Sequence, residues 1–372
     1  MNKTPQIVFD NEHHDLGRLA GEIKLANPLG VTIFMGKRYP HTKLTIDTFL
    51  LSLEMPVSGG IFPEVIYGDT YYGDGVIALL WFDKPEIRTF KNISDPQSEL
   101  HQHPSALEHD PSRVSCLMIM DMVSGAPEAA LDALYYSNGT DLTYAGTGAG
   151  YADGGNAPCV FCEEGLIADA LQTICLPYAQ KTYVGHGWEV LSGPHLVTES
   201  EGSHVKSLDY RPIKPHFEQM VKENHPEDVS DLSFDQLISR FPMGIKPYDE
   251  DILVRDAMGY LDGAIRYIGD IPVYSKVYLL SGTPDSLLGF VKDNPESFEP
   301  NAEESTLSLI FSCVGRRFHM GEHSNTELKS LSPMLKSKNI IVGTSSVGEI
   351  AVNKSGLPCL HNMSLVVSRL SI

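Results

Sequence analysis

Gly30-Val-Thr-Ile-Phe-Met35 is an apolar run of strand length, and Leu44 to Leu53 behind it repeats apolar residues near every 3.6 positions. A second run ends in small residues, Pro56-Val-Ser-Gly-Gly60. Two more, Ile61 to Tyr67 and Gly75-Val-Ile-Ala-Leu-Leu-Trp-Phe82, close the stretch. A strand covered on both faces reads as continuous apolar sequence, so this order describes strand, crossover helix and strand. The two opening strands are expected to be parallel with a right-handed connection. The closing runs, separated by Gly, Asn or Asp clusters, read as antiparallel hairpins.

The plan recurs. Cys116-Leu-Met-Ile-Met120 leads through a helix from Pro127 to Tyr136 into Leu142-Thr-Tyr-Ala-Gly146, then strands around Cys159-Val-Phe161 and Ala168 to Leu176. Pro127 suits a first helical turn, where its missing N–H costs little. Thr306-Leu-Ser-Leu-Ile-Phe311 opens a third copy, with a helix near Asn325 to Leu335 and then Asn339-Ile-Ile-Val-Gly343. That copy ends with Val347 to Val352 and Met363 to Val367, and a weaker hairpin-like ending lies at Gly263 to Ile268 and Ser275 to Leu280. The expected fold is α/β (α+β), with mixed β-sheets flanked by helices, built from repeated β-α-β-hairpin units in two halves. Residues 91–113, with His101, His103 and His109, read as a surface loop. Residues 213–250 carry two helical pieces, so the expected domains are 16–212 and 213–372.

With 372 residues and 42 % apolar side chains, the chain can bury a large core, which excludes a disordered protein. Its net charge of −20 opposes nucleic acid and anionic membranes, since no Lys/Arg run offsets it. No segment approaches the roughly 20 apolar residues of a membrane helix. The N-terminus does not read as a signal peptide, and six unevenly spread cysteines make no disulfide framework. The expectation is a cytoplasmic protein.

Several motifs carry less than they suggest. Cys159-Val-Phe-Cys162 lies on a strand, which sends positions i and i+3 to opposite faces and disfavours a shared metal. The glycine run from Gly146 to Gly155 precedes strand-like sequence, whereas a dinucleotide fingerprint opens a helix. No nucleophile elbow, Walker sequence or His-Glu-x-x-His is present, so neither enzyme activity nor a metal site is expected.

A further set of motifs remains. Gly185-His-Gly-Trp188 is followed by Ser192-Gly-Pro194, Val197-Thr198, Ser200-Glu-Gly202 and Leu208-Asp-Tyr-Arg-Pro212. Phe311-Ser-Cys-Val-Gly-Arg316, Val342-Gly343, Gly348-Glu-Ile350 and Leu360-His-Asn362 come later. In order and spacing the chain resembles the FIST family, from about residue 16 onward. The resemblance implies a sensory protein that binds a small ligand, with amino acids suggested for the family and haem-based nitric-oxide sensing in some members. The expected ligand residues are Cys313, Arg316, Glu349, His361 and Asn362, joined by His186, Trp188 and Arg211 from the first half.

Each of these has a plainer reading. Arg316 either clamps a ligand carboxylate or pairs with Glu349. Glu349, alternating with apolar residues, faces away from the core and either holds a ligand amine or is a solvated strand charge. His361 and Asn362 line the pocket or make a turn. His186 meets a ligand or haem, or ends a strand, and no Cys-x-x-Cys-His signal for attached haem is present. No cofactor is expected, and haem is the alternative. Cys313 with His361 as base is the enzymatic alternative. With no kinase or cyclase module in the chain, the signal passes to a separate partner or through a homodimer; a protein-interaction scaffold is a further reading.

Overall fold

Three parallel strand pairs organise the chain. A computed structural model describes residues 4–102, 112–123, 126–139, 142–155, 157–225, 229–247, 250–293, 306–335 and 340–372; His103, His109 and Asn339 lie outside them. The first unit contains β1 (Gln6–Asp10), α1 (Leu16–Ala26), β2 (Gly30–Gly36), α2 (Lys43–Leu53), β3 (Val57–Phe62), β4 (Glu64–Tyr67), β5 (Thr70–Tyr72) and β6 (Val76–Trp81). The second contains β7 (Glu86–Lys91), α3 (Glu99–Gln102), β8 (Ser115–Asp121), α4 (Pro127–Asn138), β9 (Thr143–Ala149), β10 (Val160–Cys162), β11 (Gly165–Ile167) and β12 (Ala170–Leu176).

After β13 (Gln180–Gly185) the chain leaves this plan. It runs through β14 (Glu189–Glu201), β15 (His204–Leu208), β16 (Arg211–Pro212), α5 (Ile213–Asn224), α6 (Phe234–Arg240), β17 (Met243–Ile245) and β18 (Leu253–Arg255). The segment continues with β19 (Ala257–Leu261), β20 (Ala264–Tyr267), β21 (Lys276–Ser281) and α7 (Pro284–Asp293). The plan then resumes with β22 (Thr306–Cys313), α8 (Val314–Met320), α9 (Ser324–Leu335), β23 (Ile340–Ser346), β24 (Glu349–Val352), β25 (Pro358–His361) and β26 (Leu365–Ser371).

Local chemistry sets several boundaries. Asp15 caps α1 by accepting from the N–H groups of Gly17 and Arg18, and Asn27 ends it in the left-handed conformation. Thr42 and Thr45 form a reciprocal capping box on α2. β2, β8 and β22 are buried at every position, as continuous apolar runs require.

β2–β3, β8–β9 and β22–β23 are parallel pairs, and the return strands β6, β12 and β26 lie antiparallel beside the first strand of each. The closing runs do not pair with each other, contrary to the hairpin expectation. β4–β5 instead joins β23, β10–β11 joins β3, and β24–β25 joins β9. Each short hairpin therefore completes another unit's six-stranded sheet, and the three transfers close a ring. α2 packs on β11, and α4 on β25, so helices cover the incoming hairpins. Likewise β20 and β21 are not partners: they belong to an eight-stranded fourth sheet, β18-β17-β21-β14-β15-β20-β19, with β16 beside β15.

The second strand of each unit carries a glycine at the same place. Gly59, Gly146 and Gly343 sit opposite Ile33, Met118 and Ile310. A Cβ there would fall 2.0, 2.4 and 1.8 Å from the facing carbonyl oxygen. No side chain fits such an approach. Next along the strands come Gly60, Thr147 and Thr344, and the two threonine hydroxyls meet at 2.8 Å in the shared interior. One hydrophobic core joins Ile33, Val57, Ile119, Ala145, Leu309 and Val342 from all three units. Among the described residues no helix is long and apolar enough to cross a membrane.

Candidate functional site

The hairpin strands that enter each sheet place one residue opposite Gly60, Thr147 and Thr344. Those residues are Val160, Glu349 and Val65, all fully buried. Two copies thus fill the position with valine and the third with a carboxyl group. Glu349 does not face solvent as its alternation suggested. β24 lies between β9 and β25, with Ile350 in one core cluster and Ala351 in another, so neither face of the strand is wet. The carboxyl accepts from Ser346 Oγ at 2.6 Å and Ser364 Oγ at 2.7 Å. Burial outweighs these hydrogen bonds and pushes its pKa up to about 8.

Cys313 ends β22 beneath this group. Burial, and then the nearby acidic groups Glu349 and Asp256, raise its thiol well above the ordinary value, so it is a neutral thiol at physiological pH. Asp256, half-buried, is itself pushed up to about 7 by burial. A Cβ on Gly315 would lie 2.2 Å from Asp256 Oδ2, so glycine lets α8 start against this loop.

Arg316 does not pair with Glu349. Its Nε and Nη2 donate to Glu327 Oε1 at 3.2 and 2.6 Å, its Nη2 also reaches Leu287 O at 2.7 Å, and its Nη1 donates to His186 O. Neither Arg316 nor Glu327 is exposed. The first turn of α8 directs the guanidinium toward α9, while Glu349 points into the shared core. The fork that would meet a ligand carboxylate holds protein acceptors, and it fixes the backbone of the His186 loop.

His186 follows β13. Its Nδ1 accepts from the Trp188 N–H at 2.9 Å, which leaves Nε2 as the donor to Ile252 O at 3.2 Å. Burial, followed by the Arg316 charge, lowers its pKa to about 4. Gly187 adopts φ +71°, and a Cβ there would sit 2.5 Å from Ser286 O. Trp188 is buried and donates from Nε1 to Met363 O at 3.0 Å. Cys313 N–H bonds the neighbouring Ser364 O. His361 faces Glu349 across β24–β25. Burial, then Arg255 and His186, lower its pKa to about 3, and its Nε2 has no partner among the described residues. Asn362 is wholly buried, and neither amide atom is paired among the described residues.

Seven of the residues expected to bind ligand therefore lie in one connected region: Cys313, Arg316, Glu349, His361, Asn362, His186 and Trp188. Arg211 does not join them. It is exposed on β16 and reaches Gln219 at 3.5 Å.

A cavity of about 690 Å³ opens at the edge of this region, between β13, β18 and the β24–β25 turn. His186 and His361 contribute to its wall, with Lys246, Glu250, Asp251 and Lys354 around it. Lys354 Nζ pairs with Asp251 Oδ1 at 3.0 Å, and Glu250 accepts from the Lys354 N–H at 3.2 Å. Tyr183 and Phe290, stacked at 5.4 Å, line the same cavity. Such a set offers both charge signs and a flat apolar wall to a small ligand. The sequence reading found the two histidines but not the lysines, acids or aromatic pair. The only local signal was turn chemistry in Asn353-Lys-Ser-Gly356.

The chain matches the family model of the FIST N domain over residues 31–211 and that of the FIST C domain over 217–352. It belongs to the FIST family. No curated protein matches it. FIST domains are associated with sensory signal transduction.

In this FIST protein the junction of the two matched segments is the passage from β16 into α5, inside the fourth sheet and its helices. The cavity takes Thr182 to Gly187 from before that junction and its other lining residues from after it. Both nitrogens of His186 are engaged by backbone groups, Nδ1 by the Trp188 N–H and Nε2 by Ile252 O.

Proposed function

We propose that this FIST protein is a sensor that binds a small zwitterion of the amino-acid class in the cavity beside His186 and His361. One observation carries the reading: the cavity wall sets Lys246 and Lys354, and the acids Glu250 and Asp251, around His186 and His361. A ligand carboxylate would meet the ammonium groups, a ligand amine the carboxylates, and its side chain the Tyr183–Phe290 stack. His361 is neutral at physiological pH, so it adds no charge to the cavity wall.

In this reading the protein is no enzyme. A buried, protonated Cys313 supports that, because the thiolate is the nucleophilic form. The occupied state would act on a separate cytoplasmic signalling partner or on a second copy of the chain. The test is a thermal-melting screen of the full chain against an amino-acid panel, since a ligand that binds only the folded state raises stability. The expected result is a concentration-dependent rise with a subset of the panel. No shift with any member, for protein shown to be folded, would overturn the amino-acid assignment.

A further inference from the structure

His195, Asp209 and His216 present one ligand atom each, all within 4.8 Å of one another, and none of them lines the cavity described above. They come from separate elements. His195 follows a register shift in β14, Asp209 lies in the turn between β15 and β16 at φ +50°, and His216 sits on α5. His195 Nδ1 and His216 Nε2 stand 2.8 and 3.1 Å from the same oxygen, Asp209 Oδ2. The other oxygen, Oδ1, accepts the Leu196 N–H at 2.8 Å and so orients the carboxylate.

We propose that these three side chains hold a divalent transition-metal ion of the zinc class, with water in the fourth position. In a tetrahedral site with bonds of about 2.0–2.2 Å, ligand atoms are separated by about 3.3–3.5 Å. His195 Nδ1 would move about 0.5–0.7 Å and His216 Nε2 about 0.2–0.4 Å away from Oδ2, and the two nitrogens, within 4.8 Å of each other, would settle to the same spacing. Asp209 is 37 % exposed against 15 % and 9 % for the two histidines, so the open position faces solvent on the carboxylate side.

A metal on His195 Nδ1 and His216 Nε2 leaves each ring proton to the other nitrogen. On His195 that nitrogen, Nε2, already faces Ser192 Oγ at 3.0 Å, the outer hydrogen bond that metal-bound histidines usually make. On His216 it is Nδ1, which is buried without a partner among the described residues, so no hydrogen bond shown there is forfeited. The ion would pin β14, the β15–β16 turn and α5 together, where the two family segments meet.

The same atoms also align as Ser192–His195–Asp209, the order of a nucleophile, base and orienting acid. The second histidine on Oδ2 favours the metal. The test stays with the full chain, stripped with a chelator, dialysed against Zn²⁺ and assayed for bound metal. One equivalent is expected, with Co²⁺ giving the intense visible bands of a tetrahedral site, and both should be lost in His216→Gln. If that variant fails to fold, Ser192→Ala is the second reading, with affinity expected to fall about 10–100-fold as for other outer partners of a ligating histidine. A folded wild-type chain that retains no zinc, or retention unchanged in both variants, would overturn the site. So would labelling of Ser192 by a fluorophosphonate in a chain that takes up no zinc.

Discussion

Arg316 and Glu327 form an ion pair at 2.6 Å in which neither side chain reaches solvent. The pair ties α8 to α9, and the remaining guanidinium donors hold the backbone of His186 and Leu287. Removing one partner strands the other charge in the core, which typically costs about 3–5 kcal/mol. Glu327→Ala should therefore lower the urea midpoint strongly. Replacing both groups, as Arg316→Met with Glu327→Leu, should lower it much less, because no buried charge is then left alone.

The buried acids and histidines act on stability with opposite sign: their pH windows overlap below 6.5, and only the acids act above it. Glu349 titrates near 8 and Asp256 near 7 in the folded chain, both above their ordinary values of 4.5 and 3.8. The folded state then binds more protons than the unfolded one between those limits, so stability contributed by their protonated forms is lost as pH rises toward 8. His186 and His361 are depressed to about 4 and about 3 from 6.5, so their contribution is lost as pH falls below 6.5. Urea unfolding across pH 6.5 to 8.5 should show a declining limb that flattens in Glu349→Gln. A limb equally steep in that variant would remove Glu349 as its source.

Glycine at the paired strand position is a steric requirement that alanine substitution can test. Gly343→Ala would place Cβ 1.8 Å from Ile310 O, and backbone cannot yield as a flexible side chain can. A loss at or beyond the about 1–3 kcal/mol of ordinary overpacking is expected on denaturant unfolding. Gly21→Ala, on α1 with nothing within 4 Å, should instead stabilise by about 0.5–1 kcal/mol.

Cysteine labelling separates a buried thiol from an activated one. Cys359 is the partly exposed cysteine, with a pKa pushed up to about 11, and the other five are buried. Iodoacetamide at neutral pH should label Cys359 slowly and Cys313 only after denaturation, as read by peptide mass spectrometry. Fast labelling of Cys313 in the folded chain would revive it as a nucleophile.

The strand–helix–strand cores were legible because continuous apolar runs such as Cys116 to Met120 admit few other placements. The destination of the hairpins was not. Apolar alternation in Val347 to Val352 says that a face is buried, not whose sheet buries it, and β24 lies beside β9 of another unit. That is also why Glu349 was read outward: its burial depends on Thr147, about two hundred positions earlier in the chain. Arg316 was legible as a special residue, but its partner Glu327 lies in an ordinary-looking helix. The His195–Asp209–His216 group escaped notice because its spacing matches no metal motif; three elements meet only in the fold.

The central claim, a ligand cavity beside His186 and His361, is tested most directly by calorimetric titration of the amino acid that raises the melting temperature, into wild type and into His361→Phe. The account predicts saturable one-to-one binding by wild type and its loss in the folded variant, whose apolar ring replaces a polar residue of the cavity wall. Unchanged affinity in His361→Phe would contradict it.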